Sequence, residues 1–129
     1  MLLPTPAPTA DEAAARAAHA VRVAFVGPLR GCLALRVTDD VARACAENML
    51  GAEPQQIALV RDALGEVANV VCGNLLPELA GRDAVFHLDA PQPMGADDAA
   101  WAALGISTLA ASLGVDGGRA DLALHVEAA

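Results

Sequence analysis

Hydrophobic and polar positions recur with two different periods along this chain, and each change of period marks an element. Across residues 54–79, Ile57, Val60, Leu64, Val67, Val71 and Leu75 stand three or four apart. At about 100° per residue they fall within a sector of roughly 80°, which predicts an amphipathic helix with this stripe toward the core. On the opposite side Asp62, Glu66, Asn69 and Gly73 are spaced four, three and four apart. They occupy roughly 60° and form one solvent-facing row. Pro54 suits a first helical turn, where its missing N–H costs nothing, and a helix running to Leu79 would measure roughly 39 Å.

Elsewhere the period is closer to two. Residues 19–26 (HAVRVAFV) and 32–37 (CLALRV) read as a β-hairpin around the connector Gly27, Pro28, Leu29, Arg30 and Gly31. Thr38 or Asp39 can cap a helix that runs to Leu50, with Val41, Cys45 and Met49 on one side and Gly51 as its stop. Residues 84–88 (AVFHL) read as a strand that Pro91, Gln92 and Pro93 end. Residues 97–104 suggest a short helical turn that sets Trp101 against the core. The tail is a second hairpin: residues 107–115, a turn at Asp116, Gly117 and Gly118, then residues 120–126, where Leu122, Leu124 and Val126 alternate with Asp121 and His125. The expected fold is α+β, a largely antiparallel sheet of two hairpins plus a further strand packed on two long helices.

Composition narrows the class. With 129 residues and 55% hydrophobic content, one domain over residues 19–129 can bury a core. Phe25, Phe86 and Trp101 are the only aromatics, so Ala, Val and Leu must build it. Residues 1–18 read as a flexible or weakly helical lead-in: the opening MLLPTPAPTA lacks the basic start of a targeting signal, and residues 9–18 favour helix without an apolar stripe. The net charge is −8, with eight scattered arginines and no lysine, which argues against nucleic acid. No long uninterrupted apolar run is present, so a membrane helix is not expected and the protein reads as soluble and cytoplasmic.

Familiar catalytic patterns are missing: there is no P-loop, no GxGxxG, no GxSxG and no HExxH. Cys32, Cys45 and Cys72 are odd in number, sit among apolar residues and form no CxxC pair, which suits buried reduced thiols, not disulfides or a metal site. His19, His87 and His125 lie in strand patterns and read as structural, and Gly117-Gly118 reads as a turn only.

What remains is the row on the long helix. The decapeptide GEVANVVCGN at residues 65–74, preceded by Asp62, resembles the signature of the CheC/CheX/FliY chemotaxis phosphatases: an Asp or Ser, then Glu, then Asn, with a proline some twenty residues on. Asp62, Glu66 and Asn69 match the spacing, and Pro91 and Pro93 both stand near the position of the proline. The resemblance covers residues 21–126 and leans toward the CheX branch, since residues 38–51 hold Glu47 and Asn48 side by side and so carry no second copy. In place of the first helix of longer members, this chain has its alanine-rich lead-in.

The resemblance implies hydrolysis of the aspartyl phosphate of a CheY-like receiver domain, in chemotaxis or related two-component signalling. In that scheme Asn69 orients the attacking water and Glu66 pairs with a cation of the partner, while Gly73 and Asp62 belong to the partner-binding surface. The receiver supplies Mg²⁺ and a lysine, so the chain needs no cofactor of its own. A homodimer through sheet edges or the sheet face is implied as well. The alternative is a non-catalytic module that docks a receiver or sensor domain, and behind it a structural subunit of a flagellar switch.

Overall fold

Strands β2 (Ala17–Val26) and β3 (Leu29–Thr38) form the first hairpin, in a computed structural model that describes residues 4–5, 17–51, 57–105, 109–115 and 118–128. Val23 faces Leu33 and Val21 faces Leu35 across the ladder, and all four are buried. The turn is tighter than the sequence suggests: only Gly27 and Pro28 separate the strands, because Leu29, Arg30 and Gly31 already pair within the sheet. Ala17 and Ala18, which were expected to end a weak helix, belong to β2; the rest of that stretch, residues 9–16, lies outside the described residues.

Strand β7 (Gly118–Ala128) pairs with β3, β6 (Leu109–Val115) with β7, and β1 (Pro4–Thr5) with the end of β6. On the far side β4 (His87–Leu88) and β5 (Gln92–Met94) both pair with β2. Among the described residues the sheet has seven strands, all antiparallel, in the order β1-β6-β7-β3-β2-β4 with β5 beside β2. Two expectations need correction here. The strand read over residues 84–88 shrinks to His87–Leu88, since Phe86 turns to meet Phe25 edge-on at 5.8 Å. The stretch read as a strand breaker is itself β5, with Pro93 opposite Val21, an edge position where a missing N–H is tolerated. Of the tail turn, only Gly118 is described.

Helix α1 (Asp39–Leu50) ends as expected on Gly51, whose φ of 73° is left-handed and whose N–H bonds the Glu47 carbonyl at 2.9 Å. Its buried line is Val41, Ala42 and Ala46, not Val41, Cys45 and Met49, and Met49 is 48% exposed. The small side chains let α1 close on its neighbour, which rotates the expected stripe. Helix α2 (Ile57–Ala80) has 24 residues, about 36 Å; residues 54–56 lie outside the described residues. Val60, Leu64, Ala68, Cys72 and Leu76 form its buried line, while Val67, Val71 and Leu75 flank the core half-buried. The apolar side is the predicted one, recentred on residues small enough to approach the sheet. Burial pushes the Cys72 thiol up to about 11, with Cys32 nearby adding to the shift, so it stays protonated; Cys32, Cys45 and Cys72 are free thiols.

Part of the second face of the sheet, around Arg36, is also covered. Arg36 and Asp121 are register partners between β3 and β7, on the face opposite Leu35 and Val37. Asp121, which alternates with the apolar positions of its strand, is only 4% exposed. Its carboxylate accepts from Arg36 Nε at 2.6 Å and from the Ser112 hydroxyl at 2.8 Å, and Arg119 Nε stands 3.2 Å away. The cover is a short helix, α3 (Asp98–Ala102), capped by Asp97, whose side chain accepts from the Ala100 N–H at 2.7 Å. Asp98 reaches Arg36 Nη1 at 3.1 Å, and Trp101 lies under the Arg36 guanidinium at 4.6 Å. Trp101 therefore stacks on a cation instead of joining the apolar core.

Each histidine stands against a carboxylate: His19 with Asp39 at 2.8 Å, His125 with Glu127 at 2.9 Å and His87 with Asp89 at 3.3 Å. The hydrogen bonds from His19 and then Arg43 hold the Asp39 carboxyl below its usual range.

Candidate functional site on the long helix

Helix α2 presents the predicted row. Asp62, Glu66 and Gly73 are exposed, but Asn69 is half-buried. The reason is its place at the margin of the row, one turn after buried Gly65 and one turn before buried Cys72. Among the described residues, Asn69 Oδ1 is the buried side-chain polar atom without a hydrogen-bond partner. Leaving such an acceptor unpaired costs about 1–3 kcal/mol, so this amide carries an unspent capacity to bind a donor.

Beside the first half of α2 runs a groove of about 600 Å³, with Asp62, Glu66, Arg61 and His19 among its walls and Pro91 and Met94 on the strand side. Pro91 locks this wall to the helix: a Cβ on Gly65 would lie 3.2 Å from its Cβ and 3.3 Å from its Cγ. Gly65 is thus a close-approach position between helix and loop. Of the two prolines the sequence left open, Pro91 is the one that touches the signature helix at Gly65, while Pro93 pairs in β5. Sequence reading passed over both Gly65 and the groove. A glycine amid a helical stripe, followed by an isolated proline, is the signal it held.

Gly73 answers differently. A Cβ built there would meet nothing within 4 Å, so close packing does not explain the glycine. The row offers carboxylates and an amide but no Ser, Cys or His nucleophile, and among the described residues no group of three His, Cys, Asp or Glu is placed to hold a metal ion. Chemically, such a face can orient a water or pair with a cation.

An antiparallel sheet under two helices, one of which presents Glu and Asn one turn apart, defines an α+β class of protein. The chain belongs to the CheX family: the sequence profile described as "Chemotaxis phosphatase CheX" matches residues 19–106. Among curated protein sequences none matches the chain significantly. Solved structures agree on the fold. CheX from Desulfovibrio desulfuricans superposes with a TM-score of 0.69 at 20% identity, over 98% of this chain and 87% of that one. CheX from Vibrio vulnificus gives 0.68 at 22%, over 98% and 83%. The CheX-CheY-BeF3-Mg²⁺ complex from Borrelia burgdorferi gives 0.66 at 16%, over 98% and 82%. Among the described residues no helix is long and apolar enough to cross a membrane.

Proposed function

We propose that this chain hydrolyses the aspartyl phosphate of a cytoplasmic CheY-like receiver domain, with Asn69 and Glu66 as its working residues. The observation that carries the reading is the unpaired, buried Oδ1 of Asn69 one turn from the exposed carboxylate of Glu66. The acyl phosphate is already activated, and the receiver brings its own Mg²⁺, as the CheY of the Borrelia complex is accompanied by Mg²⁺ and BeF3. The missing part is a water held in line with the phosphorus. Asn69 Oδ1 accepts a hydrogen bond from that water and turns its lone pair toward the phosphorus; as the water oxygen bonds to phosphorus, the bond to the aspartyl oxygen breaks, the receiver's carboxylate leaves, and the water's proton departs with the inorganic phosphate. Glu66 pairs with a cation of the receiver and sets the helix against its active site. Asp62 extends the acidic rim along the same face.

Decay of a phosphorylated receiver in the presence of Mg²⁺ tests this. Wild type is expected to accelerate decay over the spontaneous rate, and Glu66→Ala to raise KM about tenfold or more, as the loss of a charge-assisted contact does, so that excess enzyme restores the rate. Absence of acceleration with every cognate receiver would leave a non-catalytic docking module.

The second proposal is a homodimer. Among the described residues β6 is paired on its outer side at Gly114 and Val115 only, by β1, and positions 109–113 have no strand beyond them. Such an edge favours a second copy. Light scattering is expected to give twice the monomer mass; a monomer at high protein concentration would count against it.

A further inference from the structure

We propose that the backbone carbonyl of Gly73 is a docking acceptor, freed by Pro77 to receive a main-chain N–H from a loop of the receiver domain. In an α-helix each carbonyl is bonded by the N–H four residues on. Four residues after Gly73 stands Pro77, inside α2, and proline has no N–H to give. The Gly73 carbonyl has thus lost its intrahelical donor, at a point where the glycine is exposed and nothing lies within 4 Å of the place a Cβ would take.

Both residues weaken a helix interior, and in the free protein Gly73 fills no packing need, since nothing lies within 4 Å of its absent Cβ. Together they make one feature: a bare stretch of backbone with an open acceptor. A long donor side chain could reach a carbonyl past an alanine methyl. A main chain must come much closer, and glycine is the residue that lets it. Val70, three residues earlier and 58% exposed, supplies an apolar flank for such a loop.

The choice of a receiver loop as occupant rests on the proposed function, because Gly73 lies one helical turn beyond Asn69 and continues the row of Glu66 and Asn69. A partner that brings its phosphoryl group to Asn69 covers Gly73 in the same approach.

Two substitutions separate this idea from a merely structural role. Pro77→Ala restores an N–H to the Gly73 carbonyl, and Gly73→Ala leaves that carbonyl as it is but sets a methyl on the exposed turn where an incoming main chain must pass. Affinity is measured for a receiver loaded with beryllofluoride and Mg²⁺, a stable mimic that needs no turnover. Each substitution is expected to weaken Kd about tenfold, the scale of one lost hydrogen bond, while Pro77→Ala raises the melting temperature of the free protein. Wild-type affinity in either variant overturns the assignment, as does a wild type that does not bind the receiver. Acceleration of phosphoreceiver decay by the wild type, measured alongside, tests the phosphatase reading by itself: an enzyme that accelerates decay with both variants binding normally keeps its function and loses this acceptor.

Discussion

Replacing Asn69 by alanine is expected to remove the acceleration of receiver dephosphorylation and, at the same time, to make the protein more stable. The two effects have one source. Asn69 Oδ1 is buried without a partner, and deleting a buried acceptor that no donor reaches recovers part of its desolvation cost of about 1–3 kcal/mol. Alanine also favours the helix by a few tenths of a kcal/mol over asparagine. The side chain is only half-buried, so little cavity opens against these gains. A net stabilisation of about 1 kcal/mol should raise the melting temperature by a few degrees. On the proposed mechanism the attacking water loses its orienting acceptor, and one positioning contact of this kind is worth about a hundredfold or more in rate. Denaturant unfolding and phosphoreceiver decay on the same preparation check both halves. Decay as fast as with wild type would remove Asn69 from the mechanism, and a loss of stability above about 1 kcal/mol would mean that the amide is satisfied in the folded protein.

The largest loss of stability is expected on the opposite face of the sheet. Asp121→Ala takes from Arg36 its buried partner at 2.6 Å, and from the Ser112 hydroxyl its acceptor at 2.8 Å. The Arg36 side chain is 10% exposed, and the carboxylate it keeps is that of Asp98 at the solvent edge, 3.1 Å from Nη1. Breaking a buried pair from one side typically costs about 3–5 kcal/mol, whereas replacing both partners by apolar residues of similar volume can be near neutral. Asp121→Ala is therefore expected to lower the urea midpoint sharply at unchanged m, and a double replacement Arg36→Met, Asp121→Leu to recover much of the loss. Trp101, the only tryptophan, lies under the Arg36 guanidinium, so its fluorescence reports the same event without a label. A loss below about 1 kcal/mol in the single variant would show that the pair is solvated in solution.

These two sites differ in how far the sequence reveals them. Asp62, Glu66, Asn69 and Gly73 are legible because a long helix has one strong period, and a row opposite its apolar stripe can hardly fall elsewhere. Both hairpins and the Gly51 stop are legible for the same kind of local reason. Asp121 is not. Alternation correctly places it on the face away from Leu122 and Leu124, but that this face is roofed depends on Trp101 and Asp98, some twenty residues away in sequence and with no periodic link to it. Strand β5 was hidden by its own chemistry, since Pro93 reads as a breaker until the edge of β2 is seen beside it. The half-burial of Asn69 escapes a helical wheel because the wheel knows angles and not how closely Ala68 and Cys72 draw that flank toward the sheet. Small residues set the distances here, and size is the property that a two-letter pattern discards.

The two margins of the sheet set a limit on growth. At one margin lie β4, two residues long, and β5, three residues long, with Pro93 in β5 and Pro91 just before it; such short strands, one with proline in it, are poor templates for a newcomer. At the other lies β6, with positions 109–113 unpaired among the described residues. Among the described strands one margin is thus left usable, a valence of one. In the proposed dimer, two copies joined at positions 109–113 would consume that margin on both sides, so that pairing there would terminate itself at two, where a chain with two usable margins would polymerise.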